Sequence, residues 1–172
     1  MKEIRWHARA GQGAKTAAQL LATALLREGK SVQAFPEYGP ERRGSPMRAY
    51  TRYDERPIRR HDSIEEPDAV VVLEPSLAAL PDVTAGLRPG GVLLVNSEEP
   101  LPGARTIPAA AIAPGSVNLV MLGALAGVLG EPALDSLVEA AIDALGRKAD
   151  PVALRAALDG GYAAATEEKW AA

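Results

Sequence analysis

The segment Ala10-Gly11-Gln12-Gly13-Ala14-Lys15-Thr16 holds the residues whose spacing most directly suggests chemistry. A glycine turn that ends a strand leaves backbone N–H groups open at the start of the following helix. Those groups and the helix dipole favour an anion, usually phosphate. Lys15 and Thr16 would add a charge and a hydroxyl. Neither standard nucleotide pattern is met. A phosphate loop needs Gly-Lys-Thr in direct succession after an earlier glycine, whereas Ala14 separates Gly13 from Lys15. A dinucleotide fingerprint needs glycines where positions 8 and 10 hold alanine. The same glycines could serve only to let helix and strand pack closely, so the turn alone leaves both readings open.

A second group is Tyr38-Gly39-Pro40-Glu41-Arg42-Arg43, bounded by Gly44. Arginine pairs suit carboxylate or phosphate recognition and salt bridges between subunits. The plain alternative is a solvated charged loop. Glu74 and Asn96 each end a run that reads as a buried strand, so both are expected to line one crevice. Asn118 precedes an apolar run and is expected to cap a helix. His7 lies near the same edge as a hydrogen-bonded structural residue. An enzyme acting through His7 or Glu74 would rest on position alone. The sequence shows no nucleophile–base–orienter set and no metal-ligand spacing.

These residues need elements to place them. Ile4 to His7 is expected as a short strand, followed by the glycine turn and a helix from Ala14. Ala14, Ala17, Ala18, Leu21 and Leu25 recur at helical spacing, and Gly29 stops the helix. Ser31 to Phe35 is a second strand ended by Pro36, and such a unit pairs its strands in parallel. Met47 to Tyr53 alternates as a strand, with Arg56 to Arg60 as its hairpin partner. The runs Ala69–Leu73 and Val92–Val95 look like strands buried on both faces. A short helix at Pro75–Leu80 and a last strand near Thr106–Pro108 complete that half. Helices follow at Val117–Val128, Leu134–Leu145 and from Pro151 to about Thr166, the last capped by Asp150. The expected fold is α/β: a three-layer, doubly wound, Rossmann-like and mostly parallel sheet with a β-hairpin insertion and C-terminal helices. The edge carrying Gly11 and Gly13 also receives the loop after the second strand, where such sheets bind ligands.

The totals narrow the possibilities. The chain has 172 residues, 47% of them hydrophobic and 24% charged, which suits one globular domain over 1–172. Aromatics are only 4%, so small aliphatic side chains must fill the core. A net charge of -3 supplies no basic field for nucleic acid. No apolar run has membrane-spanning length and no signal segment is expected, so a cytoplasmic location is anticipated. There are no cysteines and two histidines, which excludes a disulfide, a cysteine-ligated iron–sulfur cluster or a cysteine zinc site within this chain.

Four stretches carry a family resemblance, in order along the chain. Ile4-Arg5-Trp6-His7-Ala8-Arg9-Ala10-Gly11-Gln12-Gly13-Ala14-Lys15-Thr16 resembles the opening of the gamma subunit of 2-oxoacid:ferredoxin oxidoreductases of the pyruvate/2-ketoisovalerate type. Gln33-Ala34-Phe35-Pro36-Glu37-Tyr38-Gly39-Pro40-Glu41-Arg42-Arg43-Gly44 is similar to that family's second signature, and the most specific of the four. Glu66-Pro67-Asp68 before a valine strand, and Asn118 with Met121-Leu122-Gly123-Ala124, resemble the third and fourth. The chain departs from the family pattern at Ala8 and Ala10, where two glycines are usual.

The resemblance implies a complex that oxidatively decarboxylates pyruvate or a branched-chain 2-oxoacid to an acyl-coenzyme A and reduces ferredoxin. It implies alpha, beta and delta subunits as partners, with thiamine diphosphate, Mg and iron–sulfur clusters held outside this chain. This chain would bind no cofactor alone and carry no catalytic residue. Gly11, Gln12, Gly13, Lys15, Thr16 and Asn96 would form a coenzyme A or phosphate edge, and Tyr38 to Arg43 a partner or ligand loop. The rival expectation is a stand-alone phosphate- or nucleotide-binding α/β module.

Overall fold

A computed structural model describes residues 1–37 and 44–167. Its six strands are β1 (Lys2–Arg9), β2 (Ser31–Glu37), β3 (Pro46–Asp54), β4 (Ala69–Val72), β5 (Val92–Asn96) and β6 (Arg105–Ile107). They form one sheet in the order β2-β3-β1-β4-β5-β6. The helices are α1 (Ala14–Arg27), α2 (Pro81–Thr84), α3 (Ala109–Ile112), α4 (Val117–Leu129), α5 (Leu134–Leu145) and α6 (Pro151–Thr166), with one 3-10 turn at Pro75–Leu77. The α/β class with helices flanking a mostly parallel half is as expected, as are α5, α6 and the Asp150 cap, whose carboxylate accepts from the Val152 N–H at 3.0 Å.

Two strand relations differ from expectation. β1 and β2 run in the same direction but do not pair, because β3 lies between them and is antiparallel to both. The hairpin is therefore β2 with β3, and residues 56–60 form no strand. The physical reason lies in side-chain alternation. On β3, Ala49, Thr51 and Tyr53 face the helices while Arg48, Tyr50 and Arg52 face the other side, and the eight residues of β1 match that pattern throughout the pairing. Directly opposite, Glu3 and Arg52 form a buried ion pair at 2.7 Å. A slip of one residue would drive Arg52 into the aliphatic core. β2 is left as an edge strand, which is why Pro36 continues it instead of ending it.

The core sits on one face of the sheet. Ile4, Trp6 and Ala8 of β1 and Val71 of β4 pack with α1, α4, α5 and α6. Trp6 donates its indole N–H to Thr51, whose hydroxyl donates to the Ala18 carbonyl of α1, so the polar atoms in this layer are paired. The opposite face has a smaller cluster of Val70, Val72, Leu77, Val83 and Val95, covered by the 3-10 turn and α2. Sheet and helices thus make three unequal layers.

α4 is buried along most of its length and lies against α6 at backbone contact. A methyl group at Gly123 would stand 2.1 Å from the Leu158 carbonyl, and one at Gly161 would stand 1.9 Å from the Val120 carbonyl. Small residues on both helices are therefore a packing requirement, not filler. Gly161→Ala is expected to push α6 away from α4 and to cost at least about 1–3 kcal/mol, the range for overpacking. Urea unfolding monitored by circular dichroism measures it, and an unchanged midpoint would show that the helices are not in backbone contact.

Candidate functional site

The site grows from the end of β1. Gly11 and Gly13 adopt φ of 98° and 84°, a region that non-glycine residues seldom enter. Gly13 is the N-cap of α1, and no side chain caps that helix. Its carbonyl accepts the first helical bond, from Ala17 N–H at 2.9 Å, which leaves the preceding amides of the first turn outside the helical ladder. Space is open at Gly11, where an added methyl would meet nothing within 4 Å, and Lys15 is exposed. The donor set suits an oxyanion.

The chain entering β3 is bound to this turn. Ala10 N–H donates to the Ser45 carbonyl at 2.9 Å, and Arg9 Nη1 donates to the Gly44 carbonyl at 3.2 Å. The expected ligand loop, Tyr38, Gly39, Pro40, Glu41, Arg42 and Arg43, lies outside the described residues. Its two flanks, Glu37 and Gly44, belong to the same carboxyl edge of the sheet as the turn. Ala8, one of the departures from the family pattern, is fully buried among the helices, and Ala10 takes part through its backbone.

Other expected residues have different roles. Asn96 does end β5, but its amide is committed inside the fold: Nδ2 donates to the Leu73 carbonyl at 3.0 Å and Oδ1 accepts from Ala109 N–H at 3.1 Å. It clamps the end of β4 to the start of α3 and does not open toward a ligand. Glu74 is the residue after Leu73, yet it turns to Gln12, so the two expected crevice residues do not converge. Thr16 lines an open depression of about 530 Å³ with Gln19, Thr23 and Ala144. Asn118 is not the cap of α4, a position held by Ser116. Its Nδ2 instead reaches the Gly13 carbonyl at 3.5 Å, and an added methyl at Gly13 would stand 2.6 Å from it. Asn118 therefore supports the glycine turn from beneath.

The sequence reading missed the polar face of the sheet. Glu3, Arg5 and His7 alternate along β1 on the side away from α1, and all three are buried. The Arg5 guanidinium donates to the carbonyls of Val83 at 2.9 Å and Ala85 at 2.6 Å, and Nε donates to His7 Nε2 at 3.0 Å. It thereby ties the α2 segment to the sheet. Two adjoining cavities of about 400 and 350 Å³ share Glu37, Arg48 and Asp82. Arg48 lies 3.7 Å from Glu37 and 3.8 Å from Asp82, and the Tyr50 hydroxyl donates to Glu37. Burial first, and then Glu37, pushes the Tyr50 hydroxyl up to about 12. The charges on this face are answered by one another. The alternation Glu3, Arg5, His7, Arg9 was the available signal.

Among the described residues there is no group of three or more His, Asp or Glu placed to hold a metal, and no helix long and apolar enough to cross a membrane. A glycine turn contacted by Asn118 of α4 thus stands at the carboxyl edge of a mixed α/β sheet. The chain belongs to the pyruvate ferredoxin/flavodoxin oxidoreductase family, whose model matches residues 3–164, as a gamma-type subunit. It is 46% identical over 159 residues to the pyruvate/ketoisovalerate oxidoreductases common subunit gamma of Thermococcus litoralis, covering 83% of this chain and 86% of that one. The corresponding Thermococcus kodakarensis subunit is 60% identical over 99 residues, which spans 58% of this chain and 54% of the relative. The crystal structure of pyruvate oxidoreductase subunit PORC from Thermotoga maritima superimposes with a TM-score of 0.80 at 38% identity, covering 94% and 95% of the two chains. A 2-oxoglutarate:ferredoxin oxidoreductase chain from Magnetococcus marinus shares the fold, with a TM-score of 0.75 at 22% identity over 31% of its length.

His7 gives a prediction about acid stability. Burial, then Arg5 and Arg48, lowers its imidazole to about 3, against about 6.5 when unfolded. Between those values only the unfolded chain binds the proton, so stability falls as pH drops from about 6.5 toward about 3. His7→Gln keeps an acceptor for Arg5 and is expected to lose less stability between pH 7 and pH 4 than the wild type. NMR showing His7 protonated near pH 6 in the folded chain would contradict this.

Proposed function

We propose that this chain is the gamma subunit of a complex that oxidatively decarboxylates a 2-oxoacid, pyruvate or a branched-chain homologue, to an acyl-coenzyme A with ferredoxin as acceptor. The family match over residues 3–164 carries the reading. Its partners are alpha, beta and delta subunits, and ferredoxin meets the complex through them. Thiamine diphosphate, Mg and the iron–sulfur clusters belong to those partners, since a chain without cysteine cannot ligate such a cluster. The chain folds as one domain and works in the cytoplasm.

Within the complex, the turn at Gly11–Gly13 and Lys15 shape the coenzyme A entrance. Support comes from the donor set: open amides at the start of a 14-residue helix, no capping side chain, and an exposed ammonium in the first turn. Coenzyme A, when bound, supplies the thiol that accepts the acyl group, and its phosphates are the groups these donors would hold. Arg42 and Arg43 serve the same edge as a subunit contact or ligand clamp. No residue of this chain touches the reacting carbon.

Two experiments test this. Affinity purification from the native source is expected to recover this chain with a thiamine-dependent partner, and its recovery as a free monomer would refute subunit membership. In the assembled enzyme, Lys15→Ala, or Arg42→Ala with Arg43→Ala, is expected to raise KM for coenzyme A several-fold with kcat and the 2-oxoacid KM little changed, the sign of lost binding contacts. If neither variant moves KM or assembly, this edge has no part in coenzyme A use.

A further inference from the structure

Behind the glycine turn runs a closed ring of hydrogen bonds. The Arg9 backbone N–H donates to Gln12 Oε1 at 2.7 Å, and Gln12 Nε2 donates to Glu74 Oε2 at 2.7 Å. The Ser76 hydroxyl donates to Glu74 Oε1 at 2.9 Å and accepts from Arg9 Nη2 at 3.1 Å, which returns the ring to Arg9. Gln12 N–H also donates to the Arg9 carbonyl at 3.1 Å. Its direction is fixed by chemistry. A carboxylate only accepts and a backbone N–H only donates, so the Gln12 amide fits in one orientation.

The ring joins three segments distant in sequence. Residues 9–12 carry the turn, residues 74–76 follow β4, and Arg9 and Ala10 hold Gly44 and Ser45 at the entry to β3. It lies at the rim of the sheet, with Ser76 exposed and Glu74 half-buried, where polar contacts add little to global stability. What they do fix is orientation. The Gln12 hydrogen bond, followed by those from Ser76, also holds the Glu74 carboxyl below its usual range.

We propose that Gln12 and Glu74 are positioning residues that set the direction of the Gly11–Gly13 amides and the first turn of α1 relative to the chain entering β3. They thereby set the affinity of the assembled complex for coenzyme A. This rests on the coenzyme A reading of the turn and adds residues that act through it without touching the ligand.

The test is a reversal of hydrogen-bond polarity in the assembled complex. Gln12→Glu sets two carboxylates against each other and opens the ring. Adding Glu74→Gln closes it again, because the new amide at position 74 donates to the new carboxylate at position 12, which still accepts from Arg9 N–H. Gln12→Glu is expected to raise KM for coenzyme A by about tenfold, the scale of about one hydrogen-bonded contact. The kcat, the KM for the 2-oxoacid and the melting temperature should stay close to wild type, and the double variant should recover the coenzyme A KM to within about twofold of wild type. An unmoved KM for Gln12→Glu, a loss of all parameters together with a lower melting temperature, or no rescue in the double variant would overturn the proposal. Lys15→Ala in the same assay separates the two levels. If it raises KM while Gln12→Glu does not, only the ring fails; if neither does, the coenzyme A reading fails with it.

Discussion

The structure depends on the two-faced character of β1. Ile4, Trp6 and Ala8 enter the aliphatic core, while Glu3, Arg5 and His7 are buried on the opposite side. A central strand with three buried polar residues has one workable solution: each must find a partner nearby, since an unpaired buried charge costs several kcal/mol. Arg52 on β3 answers Glu3, and the carbonyls of the α2 segment answer Arg5. These demands select β3 as the neighbour, fix its register and hold the thin layer of the sandwich. The continuation of the strand then delivers Arg9 and the glycine turn to the carboxyl edge.

The two faces divide the work. One side is a thick helical layer in which Gly123 and Gly161 let α4 and α6 meet backbone to backbone. α4 in turn sets Asn118 beneath Gly13, so the packing of the late helices bears on the geometry of the first turn. The other side is thin and polar, with Arg48, Glu37 and Asp82 pairing among themselves. The glycine turn and the start of α1 lie at the rim where both meet. There the side chains of Gln12 and Asn96 are used to hold backbone in place, while no side chain caps α1 and Lys15 is exposed.

Much of this was legible from residues alone. The helical spacing through Leu134–Leu145, the Asp150-Pro151 start and the valine run at 69–72 each gave their element with nearly its observed bounds. Local signals of this kind are decided by residues close in sequence. The partner of β1 was not local. Seven-residue β2 and nine-residue β3 both satisfy a strand pattern, and only the cross-sheet match of Glu3 with Arg52 ranks them. Pro36 misled for the same reason: proline ends a central strand but is tolerated at an edge.

The sequence by itself determined the α/β class, the glycine turn at a helix start, the inability to hold a cysteine-ligated cluster, and the ordered motifs that mark the family. Those follow from residue type and short spacing. Only the tertiary structure decided how the candidate residues are used. Asn96 is spent on Leu73 and Ala109, Asn118 supports Gly13, and Gln12 is locked to Glu74 across 62 positions. A side-chain amide has the same capacity to bind a ligand or a neighbour, and which it does depends on what the fold brings within about 3 Å of it.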